Sequence, residues 1–176
     1  MANTEALREL QTRLAERLKA VRAQARGRSW LAVECSGRGF LLPLADAGEI
    51  FAHAVIVPVA HAKPWFLGVA NLRGGLHGVV DLAAFLGAKP AERGADAARE
   101  RAQLVAFNAA LEINCALLVD RLAGLRSETQ LTPEPPGGEG LPSFVGGRFR
   151  DADGRLWQEL RLAVLAHHPA FMRIVD

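Results

Sequence analysis

The chain has 176 residues, half of them hydrophobic, with 23% charged and a formal net charge of +2. That length and apolar content suffice for one sizeable core or two small ones and argue against global disorder. The small net charge does not suggest a nucleic-acid binder by bulk electrostatics. Two cysteines, Cys35 and Cys115, are too few for a disulfide framework or a Cys-rich zinc module. No apolar run reaches the length of a membrane span, and the opening MANTEALREL lacks the basic and apolar segments of a secretory signal, so a cytoplasmic protein is expected.

Charge is unevenly spread. Residues 1–28 hold seven basic and three acidic groups, leaving the remainder with 14 basic and 16 acidic. Leu7, Leu10, Leu14, Leu18 and Val21 recur at helical spacing, which predicts an N-terminal amphipathic helix over 1–28 ended near Gly27. A single stripe does not say whether the helix packs on its own domain or on a partner. Its basic face carries no aromatic residue for base stacking or interfacial anchoring, so a solvated face is expected, with no nucleic acid and no membrane insertion.

From Ser29 the period changes to that of strands. Leu31, Val33 and Cys35 alternate with Ala32 and Glu34; Gly37-Arg38-Gly39 supplies a turn, and Phe40 to Leu44 returns. Ile50-Phe51 and Val55 to Val57 read as short extended pieces. Trp65 to Leu72 and Gly78 to Val80 flank a glycine-rich turn, after which Asp81 is placed to cap a short helix ending at Gly87. Residues 88–101 lack large apolar side chains and read as an exposed connector.

Beyond the connector, 103–107 and 113–119 predict a second hairpin, which 122–125 extends. TPEPPGGEG (132–140) reads as irregular, with three prolines and three glycines in nine residues. Ser143 to Phe149 and Leu156 to Leu160 bracket the turn Asp151-Ala152-Asp153-Gly154, and Leu162, Leu165 and Ala166 predict a short C-terminal helix broken at Pro169. Many short strands with Gly/Pro turns on both sides of a connector predict a mainly β chain built as two small barrels, with halves at 29–87 and 102–166 of a domain spanning 29–176.

Catalytic signatures are absent: no G-x-S-x-G elbow, no phosphate loop, no G-x-G-x-x-G after a strand, no H-E-x-x-H. Cys35 and Cys115 sit in apolar strand patterns that favour a core role. Adjacent His167 and His168 would point about 100° apart on a helix and make a poor chelating pair. A small metal-binding or enzymatic β-domain using His53, His61, His77 and Cys35 is the alternative, without matched ligand spacing. Asp81 and Asp120 both end apolar runs, where a carboxylate more often caps backbone amides than works as an acid–base pair.

One segment, Trp65 to Leu82, places Arg73 at a glycine-flanked turn between two apolar strands. Such an arginine either clamps its own fold or projects to a partner, and arginine is enriched at the energetic centres of interfaces. GVANLRG at 68–74 followed by VVDL at 79–82 resembles the CheW family of chemotaxis coupling proteins. LAVECSGRGFLLPL (31–44), GEI (48–50) and LLVDRLAGL (117–125) resemble further family segments in order. The N-terminal segment, Gly78 in place of a common proline, and the ending WQELRLAVLAHHPAF (157–171) are similar to the PilI type of type IV pilus twitching systems.

The resemblance implies two SH3-like five-stranded β-barrels and a non-catalytic adaptor without a cofactor. The implied partners are the cytoplasmic tip of a methyl-accepting chemoreceptor and the regulatory domain of a CheA-type histidine kinase. Carried over by motif, Arg73 is the principal partner-binding residue. Asn71, Gly74, Glu49 and Ala47 lie beside it, Ala47 standing where the family often has a larger hydrophobic residue. Gly68, Asp81 and Asp120 are the structural supports.

Overall fold

A computed structural model describes residues 12, 13, 16, 27–52, 54–88 and 101–175. Most of the predicted N-terminal helix, most of the 88–101 connector and His53 therefore lie outside the described residues. No helix among them is long and apolar enough to cross a membrane.

Among the described residues, twelve strands form two six-stranded sheets. In chain order they are β1 (Ser29–Cys35), β2 (Arg38–Pro43), β3 (Ala47–Phe51), β4 (Ile56–Val57), β5 (Phe66–Leu72), β6 (Gly75–Asp81), β7 (Gln103–Phe107), β8 (Cys115–Val119), β9 (Arg121–Ser127), β10 (Thr132–Glu134), β11 (Val145–Arg150) and β12 (Leu156–Leu160). The first sheet runs β10-β11-β12-β2-β1-β9 and the second β3-β7-β8-β6-β5-β4.

This order corrects the division at the connector. Each sheet takes strands from both sides of it: β1 and β2 join β9 to β12, whereas β7 and β8 join β3 to β6. Strand patterning reports elements but not their long-range partners, so two sequential halves and two exchanged ones look alike in sequence. Each sheet also has six strands where five were expected. Part of the excess is β10, which lies in the stretch read as irregular. Pro133 stands opposite Phe149 there, and an edge strand tolerates a residue with no N–H to donate.

The two sheets share one connectivity. If β9, β10, β11, β12, β1 and β2 are matched to β3, β4, β5, β6, β7 and β8, one sheet order becomes the reverse of the other. Both contain one parallel pair, β12 with β2 and β6 with β8. Short helices follow equivalent strands, Leu82–Phe85 after β6 and Leu162–Leu165 after β12. Their N-cap amides donate to equivalent carbonyls, Asp81 N to Trp65 O at 2.8 Å and Arg161 N to Phe144 O at 2.8 Å.

Period-2 alternation gives each sheet two buried faces. A central core holds Leu31, Val33, Phe40 and Leu42 of the first sheet against Val80, Val105, Phe107 and Leu117 of the second. Two distal cores back it. One is aromatic (Trp30, Phe149, Trp157 with Leu41 and Leu131) and the other is small and aliphatic (Ala70, Leu72, Val79, Leu104, Ala106, Ala116).

Pro169 begins a helix rather than only breaking one. It occupies the first turn of Pro169–Met172, where a missing N–H costs nothing. That helix inserts Phe171 between the rings of Trp65 and Phe107, stacked at 6.2 and 5.9 Å. The tail then straps onto the loop between β4 and β5 through Lys63 N to Ile174 O at 2.7 Å.

Candidate docking site at a hairpin tip

Strands β5 and β6 pair in antiparallel register down to Leu72 opposite Gly75, leaving Arg73 and Gly74 as a two-residue loop. Both have positive φ, +49° at Arg73 and +83° at Gly74, as the I′ hairpin turn requires. Glycine takes that geometry freely; arginine does so at a cost of about 1 kcal/mol. Asn71 offsets part of this, because its Oδ1 accepts from Gly74 N at 2.9 Å. The His77 Nδ1–H donates to Gly75 O at 2.9 Å and braces the other side.

Arg73 stands 77% exposed and pairs with Glu49, Nη2 to Oε1 at 2.5 Å. Glu49 lies on edge strand β3 and Arg73 at the tip of β5–β6, strands separated from β3 in the sheet order by β7 and β8. The pair therefore reaches across the sheet between strands that are not neighbours. A bulge in β3 between Ala47 and Ile50 aims Glu49 outward. Gly48 permits it, since a Cβ there would meet Phe107 O at 2.8 Å. Ile50, Val55, Val57, Val59 and Leu76 leave apolar surface exposed on the same sheet and its loops. Arginine and apolar side chains exposed on one sheet are residue types enriched at interfaces.

The sequence-selected residues separate into two sets. Arg73, Asn71, Gly74 and Glu49 meet at the tip. Ala47 does not join their surface: it is 9% exposed and packs in the central core opposite Phe107. Gly68 sits at φ +138°, and an added Cβ would fall 2.1 Å from Val57 O, so glycine lets β4 lie on β5. Asp81 accepts from Ala84 N at 3.1 Å and caps the helix after β6. Asp120 accepts from Ser36 N at 2.6 Å, holding the β1–β2 turn, which the structure centres on Ser36-Gly37 with both φ positive.

Of the metal-binding alternative, His61, His77 and Cys35 are described, and they form no ligand group. Among the described residues, no three His, Cys, Asp or Glu are placed to hold a metal ion. Both cysteines are buried and stand outside any disulfide, and burial pushes the Cys115 thiol up to about 12, which disfavours the thiolate. His61 is an exposed loop residue, and His168 accepts from Ala170 N at 3.3 Å.

Sequence reading missed one buried carboxylate, Glu159, and one half-buried one, Glu34. Glu159, 1% exposed, accepts from Trp30 Nε1 at 2.8 Å, from Gly147 N at 3.1 Å and from Arg28. Burial alone would raise its pKa, but these donors outweigh it and hold the carboxyl below its ordinary value. Glu34 takes a two-pronged bond from Arg121, at 2.6 and 3.1 Å, and another from Arg155. Those bonds hold it low against the opposing effect of burial. The alternation L-A-V-E-C marked Glu34 as the solvent side of a strand; nothing local distinguished Glu159 from a surface glutamate.

A CheW-like domain model matches residues 29–170, which contain both sheets and the hairpin tip. The chain belongs to the CheW-like family. It is 28% identical over 165 residues to Protein PilI of Pseudomonas aeruginosa, covering 92% of this chain and 88% of that one. The scaffolding protein TtCheW of Thermoanaerobacter tengcongensis superposes with a TM-score of 0.66 at 20% identity. That match covers 82% of this chain and 95% of the other and shows the shared fold. This CheW-like chain is thus mainly β as expected, its two barrel-like halves being the two sheets of exchanged strands.

Proposed function

We propose that the chain is a non-catalytic cytoplasmic adaptor that couples the tip of a methyl-accepting chemoreceptor to the regulatory domain of a CheA-type histidine kinase in type IV pilus signalling. The observation that carries this reading is Arg73: a strained, 77% exposed guanidinium held at a hairpin tip by Glu49. Membership of the CheW-like family and the similarity to PilI support the partner classes. The mechanism is geometric. Two sheets packed on one central core hold bound partners at a fixed spacing, so a small receptor movement reaches the kinase.

The test is co-purification with kinase and receptor fragments. Arg73→Ala is expected to weaken a complex about 30-fold, the equivalent of ~2 kcal/mol for a central interface arginine. Its melting curve should stay that of the parent. A variant that binds both partners normally removes Arg73 from the docking site. A variant that unfolds makes it a clamp of its own sheet.

A further inference from the structure

A second polar site lies on the other sheet. A cleft of about 500 Å³ opens where β2, β11 and β12 approach one another, and Arg38, Arg148 and Arg155 all line it. Among the described residues, no aspartate or glutamate lines it. Arg155 is bonded to Glu34 and lies over the Trp157 ring at 4.7 Å. Glu34 also carries Arg121, so its acceptor capacity serves two guanidiniums already. Arg38 lies over the Phe40 ring at 5.3 Å, and Arg148 passes beside Gly137, where a Cβ would sit 3.1 Å from its Cδ and Nη1. Neither Arg38 nor Arg148 has a carboxylate within ion-pair distance among the described residues. Glu134, which feels the charge of Arg148, is bonded to Arg150. Like charges gathered around one cleft repel, and an anion bound between them relieves that repulsion.

The walls restrict what the anion is attached to. Leu141 and Leu156, 47% and 38% exposed, also line the cleft. A free phosphate group would leave both leucines in water. Acidic side chains alternating with an aliphatic one would satisfy the guanidiniums and cover the leucines together, the pairing of arginine with apolar surface found at interface centres. Glycine at 39 keeps the wall open, because a Cβ there would stand 2.6 Å from the Trp157 ring.

We propose that the Arg38–Arg148–Arg155 cleft binds a short acidic, leucine-bearing peptide segment of a partner protein. It is a docking point separate from the Arg73 tip, because the two stand on different sheets.

Fluorescence anisotropy on the full chain tests this, with a fluorescein-labelled peptide of repeated Glu-Glu-Leu triplets as probe. Saturable binding that weakens with added salt is expected. Arg38→Gln with Arg148→Gln should weaken it about 10-fold or more, Arg38→Gln alone about threefold, and Arg73→Ala not at all. The single variant serves if the double one melts early, since Arg38 is exposed. Parental affinity in Arg38→Gln and in a folded double variant overturns the site. Displacement by tripolyphosphate at lower concentration than by unlabelled peptide, or equal affinity for Glu-Glu-Ser triplets, overturns the proposed occupant. Loss of probe binding in Arg73→Ala also overturns it, placing the probe at the hairpin tip.

Discussion

Glu159 and Val79 hold the same place in two sheets of one connectivity. Each lies two residues before the N-cap of the following helix, on the strand that pairs in parallel, with Glu159 opposite Leu41 and Val79 opposite Ala116. Both point into a distal core. In the second sheet that core is closed by alanine, leucine and valine. In the first it contains two indoles and a charge, with Trp30, Gly147 and Arg28 converging on one carboxylate. The connectivity is indifferent to this exchange; what differs is whether the distal core takes up a polar group. One sheet buries it in a network that ties Arg28, where the chain enters the sheet, to β12. The other carries Arg73 and Glu49 at its surface. Shared architecture therefore does not predict where the chemistry sits.

The comparison is most severely tested by exchanging the two positions. Glu159→Ala leaves the Trp30 indole N–H and the Gly147 amide without their acceptor, at about 1–3 kcal/mol for each donor left unsatisfied, while the half-exposed Arg28 returns to water. Val79→Glu places an unpartnered carboxylate among aliphatic groups and should be at least as damaging, with no pairing arginine to rescue it. Urea unfolding midpoints measure both. If Glu159→Ala unfolds at the parental midpoint, the network is ornamental and the two distal cores are energetically equivalent.

Acid should distinguish the sheets next. Glu159 and Glu34 titrate below their ordinary value of 4.5 in the folded chain. A carboxyl held low when folded adds stability above its unfolded pKa, and that contribution is lost as pH falls through the folded value. Stability should thus be level above about pH 4.5 and decline below it. Glu159→Gln should show a shallower decline from a lower plateau. An identical acid limb in parent and variant would mean that Glu159 is no better stabilised folded than unfolded.

A smaller effect separates two glycines of the second sheet. Gly68→Ala drives a Cβ against Val57 O at a forbidding φ, so it should cost well over 1 kcal/mol and free β4. Gly74→Ala meets nothing within 4 Å and suffers only from its φ, about 1 kcal/mol. Equal losses would show that the closeness of β4 to β5 is not what requires Gly68.

The hairpins, the cap at Asp81 and the tip at Arg73 were legible because each is written in adjacent residues: a turn pair, a strand alternation, a carboxylate before an apolar run. The exchange of strands between sheets was not, since β12 lies 118 residues from its partner β2 at Trp157 and Gly39, and short strands carry no address. At the hairpin tip, Glu49 was visible in its motif, but its pairing with Arg73 depends on how the sheet curls. Ala47 was misplaced because a bulge, invisible to period-2 counting, separates its direction from that of Glu49. Glu159 resembled a surface residue because its three donors come from Arg28, Trp30 and Gly147, none of them adjacent to it in sequence.

The smallest change in stability carries the sharpest functional consequence. Arg73 gains from its exposed ion pair with Glu49 roughly 0.2–1 kcal/mol, and it loses about 1 kcal/mol by standing in the left-handed region. Asparagine tolerates that conformation better and is the preferred partner of glycine in this turn. Arg73→Asn should therefore leave the melting temperature unchanged or slightly raised, while co-purification with receptor and kinase fragments fails. An arginine kept only for the hairpin would show the reverse: a lower melting temperature and intact complexes. A residue whose replacement relaxes the fold and ends its associations is there for the association, and that combination is what distinguishes this exposed tip from the buried network of the first sheet.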